Sequence, residues 1–111
     1  MKPVPVLLIT HDDLLWQHWR ALDPARWLAA RGRGLADLQR WREQGRSLAV
    51  LDSDVPRLPS WQDPVWMSTL AGLHLVVASP SPNDEQGTQA LGAGAHGYCH
   101  SYAPAASLAQ S

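Results

Sequence analysis

Side chains capable of chemistry gather where apolar runs end in this chain. Leu48-Ala49-Val50-Leu51 passes directly into Asp52-Ser53-Asp54, Val6-Leu7-Leu8-Ile9 into Thr10-His11-Asp12-Asp13, and Leu73 to Ala78 into Ser79. A carboxylate in such a place can serve as a covalent nucleophile or as a ligand to a hard cation, and a serine beside it can bond an oxyanion. Each residue also has an ordinary reading. Asp52 and Asp54 can open a turn, and Asp12 or Asp13 can cap a helix before either binds metal. Other chemistries fail on spacing. His11, His18, His74, His96 and His100 present no i, i+4 pair on one helix face, the arrangement that suits zinc. No Gly-x-Ser-x-Gly surrounds Ser79 and no Gly-x-Gly-x-x-Gly follows the first apolar run, which argues against a serine hydrolase and a dinucleotide site. Arg31-Gly32-Arg33-Gly34 reads first as a solvated turn and second as an anion site.

The elements that must hold these residues are short and alternate in type. Strands are expected at Val6–Ile9, more weakly at Arg26–Ala30, then at Leu48–Leu51, Leu73–Ala78 and Tyr98-Cys99. Between them a helical period runs from Leu14 to Leu22 and stops at Asp23-Pro24. Leu35, Leu38 and Trp41 line a second helix closed by Gly45. A third helix is expected over Ser60–Leu70, with Pro64 in its first turn or kinking it, and a fourth from Glu85 to Leu91 after the Asn83-Asp84 cap. Pro104 opens a last helix that the chain barely begins.

Strands alternating with helices specify an α/β, flavodoxin-like doubly wound five-stranded parallel sheet, strand order 2-1-3-4-5, with helices on both faces. Val6–Ile9 is expected in the central strand. The site then lies at the carboxyl ends of the strands, where Thr10 to Asp13, Asp52 to Asp54, Ser79 and His100-Ser101 converge.

With 111 residues the chain is one domain, and an apolar fraction of 45% with only 17% charged residues supports an ordinary core. Nine basic against ten acidic side chains leave a net charge of −1, which argues against nucleic-acid binding driven by phosphate neutralisation. The single cysteine, Cys99, excludes an internal disulfide and a cysteine-based zinc site. The first apolar run is too short for a signal peptide or a membrane span, so a cytoplasmic location without membrane contact is expected. Six tryptophans and no phenylalanine are an unusual aromatic set, read as core or partner-facing wedges rather than as a base-stacking platform.

From Val6 to about Ala109 the chain resembles the receiver (CheY-like) domain of two-component response regulators, in an atypical, degenerate form. Leu48 to Pro56 looks like the phosphoacceptor strand, with an apolar run, an Asp and a Pro four residues on. Leu75-Val76-Val77-Ala78-Ser79 is similar to the fourth strand. Ala90 to Tyr98 resembles the Ala-Gly-Ala-x-Gly-Tyr stretch of receivers that precede a helix-turn-helix DNA-binding domain. The resemblance implies that Asp52 takes a phosphoryl group from a histidine kinase, that Ser79 bonds its oxygen and that Tyr98 is the switch aromatic. Two parts of the pattern are missing. The acidic pair after the first strand falls on Thr10 and His11, or on His11 and Asp12 if the alignment slides by one. This leaves Asp12 and Asp52 as a degraded metal site and Mg²⁺ as a weakly held ion. The lysine of the family falls on Ser101, and the chain's only lysine is Lys2.

The implied protein is no enzyme but an atypical receiver in phosphorelay signal transduction, controlling an output, transcriptional in a bacterial regulator, through protein contacts. Residues 1–111 are then a single receiver-like domain with an incomplete last helix, the N-terminal part of a longer regulator. Its implied partners are a histidine kinase, its own DNA-binding output domain and a second copy in a homodimer. The alternative is a phosphorylation-independent pseudo-receiver acting as a dimerisation or interaction module. A small flavodoxin-like enzyme comes third.

Overall fold

The structure is a computed structural model and describes residues 3–102. Five parallel strands form one sheet: β1 (Val4–Ile9), β2 (Trp27–Gly32), β3 (Leu48–Asp52), β4 (His74–Ser79) and β5 (Gly97–His100), in the order β2-β1-β3-β4-β5. Four helices connect them: α1 (Asp13–Arg20), α2 (Leu35–Glu43), α3 (Val65–Leu70) and α4 (Asp84–Gly92). The expected architecture is therefore present, with one correction of place. The middle strand is β3, and Val6–Ile9 belongs to β1, one position off centre, because the chain reverses its direction of travel across the sheet between β1 and β3. The strand that carries Asp52 is thus flanked on both sides.

Alternation along the strands divides the core into two layers. Leu7 and Ile9 of β1 face Leu38, Trp41, Trp66 and Leu70 from α2 and α3, whereas Val6 and Leu8 face Leu15 and Trp19 of α1. The three buried tryptophans are wedges whose indole N–H groups find backbone acceptors. Trp19 donates to Ser101 O at 2.7 Å, Trp41 to Leu48 O at 2.9 Å and Trp66 to Ser60 O at 3.1 Å. Truncating one such buried ring costs about 3–5 kcal/mol. Trp16, Trp27 and Trp61 are half-buried, so helix α1 presents no exposed tryptophan pair.

The helix ends follow local chemistry. Asp12 is extended (φ −87°, ψ 111°) and its side chain accepts from Leu14 N and Leu15 N, which starts α1. Asn83 does the same for α4 through Gln86 N. The helix expected over Ser60–Leu70 is shorter, beginning only at Val65. Pro64 has no N–H to give and disfavours helical backbone at Asp63, so Ser60–Asp63 closes as a turn and the Asp63 carboxylate receives Val65 N at 2.9 Å. Gly32 lets the end of β2 pack closely, since a Cβ there would lie 3.0 Å from Ile9 Cγ1 and 3.1 Å from Leu7 Cδ1 and those side chains would have to give way. No helix among the described residues is long and apolar enough to cross a membrane. The helix expected from Pro104 lies outside the described residues.

Candidate functional site

Strand register brings the polar ends together. Asp52 pairs with Ala78 across β3 and β4, and Ser79 with His100 across β4 and β5. Neighbouring strands run about 4.8 Å apart, so Asp52 and Ser79 stand at the same edge of adjacent strands. Three bonds close this edge: Ser53 N donates to Ala78 O at 2.8 Å, Ser101 N to Ser79 O at 2.9 Å, and Ser81 N to Ser79 Oγ at 3.1 Å.

Asp52 is 4% exposed, and its carboxylate is met by two donors. Asp54 N bonds Oδ1 at 3.0 Å, the Asx-turn geometry of a strand-end aspartate. Thr10 Oγ1, from the end of β1, bonds Oδ2 at 2.7 Å and itself accepts from Asp12 N at 3.1 Å. Among the described residues no cation is paired with Asp52; the ion pairs are Arg26–Asp23, Arg31–Asp13 and Arg40–Asp37. This buried carboxylate is therefore stabilised by dipoles, a backbone amide and a hydroxyl, rather than by a charge.

The other residues singled out in the sequence take varied places. Asp12 is exposed and caps α1, and Asp13 holds Arg31 at 2.8 Å. His11 does not turn to Asp52. It is exposed, and its Nε2 donates to Arg33 O at 2.8 Å. Ser101 is fully buried, its carbonyl taken by the Trp19 indole. The Oγ atoms of Ser101 and Ser53 are buried without hydrogen-bond partners among the described residues. Tyr98 is half-buried against α4. Its hydroxyl donates to Gln86 Oε1 at 2.5 Å and accepts from Asn83 N at 3.2 Å. Its ring lies so close to Gly87 that a Cβ there would meet Cδ2 at 3.0 Å. Burial raises the Cys99 thiol above its ordinary pKa.

The sequence reading placed Thr10 at this edge but assigned it no partner and missed Trp19. Thr10 is the side chain that touches Asp52. Trp19 ties α1 to the end of β5. The signal for Thr10 was its place as the first polar residue after a buried strand.

Mg²⁺ demands near-octahedral oxygen ligands and is bound through carboxylates. Asp52 supplies one carboxylate, already bonded by Thr10. Among the described residues no three His, Cys, Asp or Glu side chains gather in a way that could hold a metal ion. The residues present do not fit the ion that the resemblance implies.

No family model matches the chain, and no curated protein matches it. Solved structures do. The signal receiver domain of the putative response regulator NarL from Mycobacterium tuberculosis superposes with a TM-score of 0.76 at 19% identity, covering 99% of this chain and 93% of that one. A LuxR-family two-component response regulator from Aurantimonas gives 0.77 at 17% identity, covering 98% and 81%. A putative response regulator from Chloroflexus aurantiacus gives 0.75 at 16% identity, covering 98% and 94%. With a parallel sheet ordered β2-β1-β3-β4-β5 and its polar edge at the carboxyl ends, this chain has the fold of the response-regulator receiver domains.

Proposed function

We propose that the domain is an atypical receiver of a two-component phosphorelay, with Asp52 as its phosphoacceptor. Its output, the control of transcription, passes through protein contacts and not through turnover of a substrate. The observation that supports this most is the position of Asp52, which is buried as the last residue of the middle strand, paired with Ala78 and so one residue from the level of Ser79 on the next. In the transfer, an Asp52 carboxylate oxygen attacks the phosphorus of a phosphohistidine on the partner kinase. The P–N bond breaks, and the leaving imidazole nitrogen keeps the electron pair and takes a proton. Ser79 is placed to bond an oxygen of the transferred group, and Tyr98, bound to α4, is the aromatic whose hydrogen bonds to Asn83 and Gln86 must break for it to move. An output domain in a longer chain and a second copy of this domain are the partners such a module addresses.

A specific observation favours a second reading. Thr10 donates to Oδ2 of Asp52, and Ser101 supplies no cation. Phosphoryl transfer is mostly positioning and charge neutralisation, and both are reduced here. On this reading the domain is a phosphorylation-independent pseudo-receiver that serves as a dimerisation or interaction module. Incubation with acetyl phosphate or phosphoramidate, with and without Mg²⁺, separates the two by intact mass. A single phosphoryl adduct lost in Asp52→Asn supports the first reading. An unmodified chain whose self-association is the same for wild type and Asp52→Asn supports the second.

A further inference from the structure

The arginines of this chain are almost all occupied. Arg26, Arg31 and Arg40 pair with aspartates, Arg42 donates to Ser68 O, and Arg20 and Arg46 lie over the rings of Trp16 and Trp41. Among the described residues, Arg33 and Arg57 alone have guanidinium groups with no such partner. They are far apart in sequence but line the same open cleft, of about 620 Å³, between the β2–α2 and β3–α3 loops. Arg57 is held there at φ 65°, the only positive φ among the described non-glycine residues. That conformation is costly for a side chain with a Cβ, and such strain concentrates at ligand-binding sites.

His11 lies in the same cleft, its ring held there by the bond from Nε2 to the Arg33 backbone carbonyl. The one carboxylate in the cleft, Asp37, is already engaged by Arg33 N at 2.7 Å and by the Arg40 guanidinium. Leu35, Pro56 and Leu58 give the cleft an apolar wall. Two unpaired guanidinium groups suit the tetrahedral oxygens of a phosphate, and a neighbouring apolar wall suits an organic body attached to it.

We propose that this cleft binds a small organic phosphate monoester, its phosphate between Arg33 and Arg57 and its apolar part on Leu35, Pro56 and Leu58. The site is separate from the Asp52 carboxylate and does not rest on the phosphorelay reading. It also gives the Arg31-Gly32-Arg33-Gly34 stretch, which the structure divides between the end of β2 and the following loop, a division of labour: Arg31 braces Asp13 and Thr10 O, while Arg33 is left free.

The test is titration of the ¹⁵N-labelled full chain with phenyl phosphate at constant ionic strength, with inorganic phosphate in parallel. Saturable shifts are expected for the amides of His11, Arg33 to Ala36 and Arg57, with phenyl phosphate binding more tightly than inorganic phosphate. Arg33→Gln and Arg57→Gly should each weaken binding by about tenfold or more, the loss of a charged hydrogen-bond donor. Arg57→Gly also relaxes the positive φ, so it should fold at least as well as wild type. Arg26→Gln, at the exposed Asp23 pair, and Asp52→Asn should leave the affinity unchanged. No saturation up to about 10 mM, a range weaker than ordinary metabolite affinities, would overturn the proposal. So would equal effects of Arg33→Gln and Arg26→Gln, or shifts abolished by Asp52→Asn.

Discussion

Thr10→Val removes one hydroxyl and almost no volume, which makes it the sharpest probe of how Asp52 is held. In wild type the hydroxyl donates to Asp52 Oδ2 at 2.7 Å and accepts from Asp12 N at 3.1 Å, with Thr10 itself only 1% exposed. A hydrogen bond to a charged group contributes about 1.5–3 kcal/mol, and the variant leaves one buried carboxylate oxygen without a donor, so a loss of about 2–3 kcal/mol is expected. With an unfolding entropy of about 2.1 cal/mol/K per residue, that loss lowers Tm by roughly 10 °C for a chain of this size. In urea, where the slope is about 1–3 kcal/mol/M, the midpoint falls by about 1 M. Buried Trp19 and Trp66 make intrinsic fluorescence a suitable signal. The contact itself is isolated by a double-mutant cycle with Asp52→Ala, in which a coupling of about 1.5–3 kcal/mol is expected. A coupling below about 0.5 kcal/mol, the ordinary limit of additivity, would refute the view that Thr10 holds this carboxylate.

Thr10→Asp should place a second carboxylate against Asp52, lowering the midpoint without metal and restoring it with Mg²⁺; a calorimetric scan in which Mg²⁺ stabilises wild type equally would contradict the misfit of that ion. Gly87→Ala should displace the Tyr98 ring, since the new Cβ would lie 3.0 Å from Cδ2, while the gain of about 0.5–1 kcal/mol in helix propensity limits the net stability change. An unaltered Tyr98 NMR environment in that variant would show that the ring was not packed on Gly87. Cys99 should alkylate more slowly than a free thiol at neutral pH because burial raises its pKa, and the rate should climb as pH passes above the ordinary thiol range. The same shift contributes stability that is present below the ordinary thiol pKa and lost as pH rises through the raised one, so unfolding midpoints should fall in alkaline buffer for wild type and less for Cys99→Ser.

Much of this molecule is legible in its sequence because the information is local. Four- to six-residue apolar runs bounded by Asp, Ser, Pro and Gly mark strands buried on both faces. Their alternation with amphipathic segments leaves few topologies, and Asp12 and Asn83 announce their helices by cap chemistry. From that pattern alone, Asp52 and Ser79 fall on one edge of the sheet. The helix at Ser60–Leu70 was half legible, since Pro64 signals a boundary without saying on which side the helix survives. What the sequence does not contain is which side chain meets which across the sheet. Thr10 reaches Asp52 across 42 positions because β1 and β3 pair in one register, and a slip of one residue would turn it to the opposite face. His11 lies next to Thr10 in the chain yet bonds Arg33, and Tyr98 engages α4 rather than the strand edge. Arg33 and Arg57 become a pair only when two loops close around one cleft. Periodicity and caps are properties of neighbouring residues, whereas partner choice depends on packing between elements that only the folded chain brings into contact.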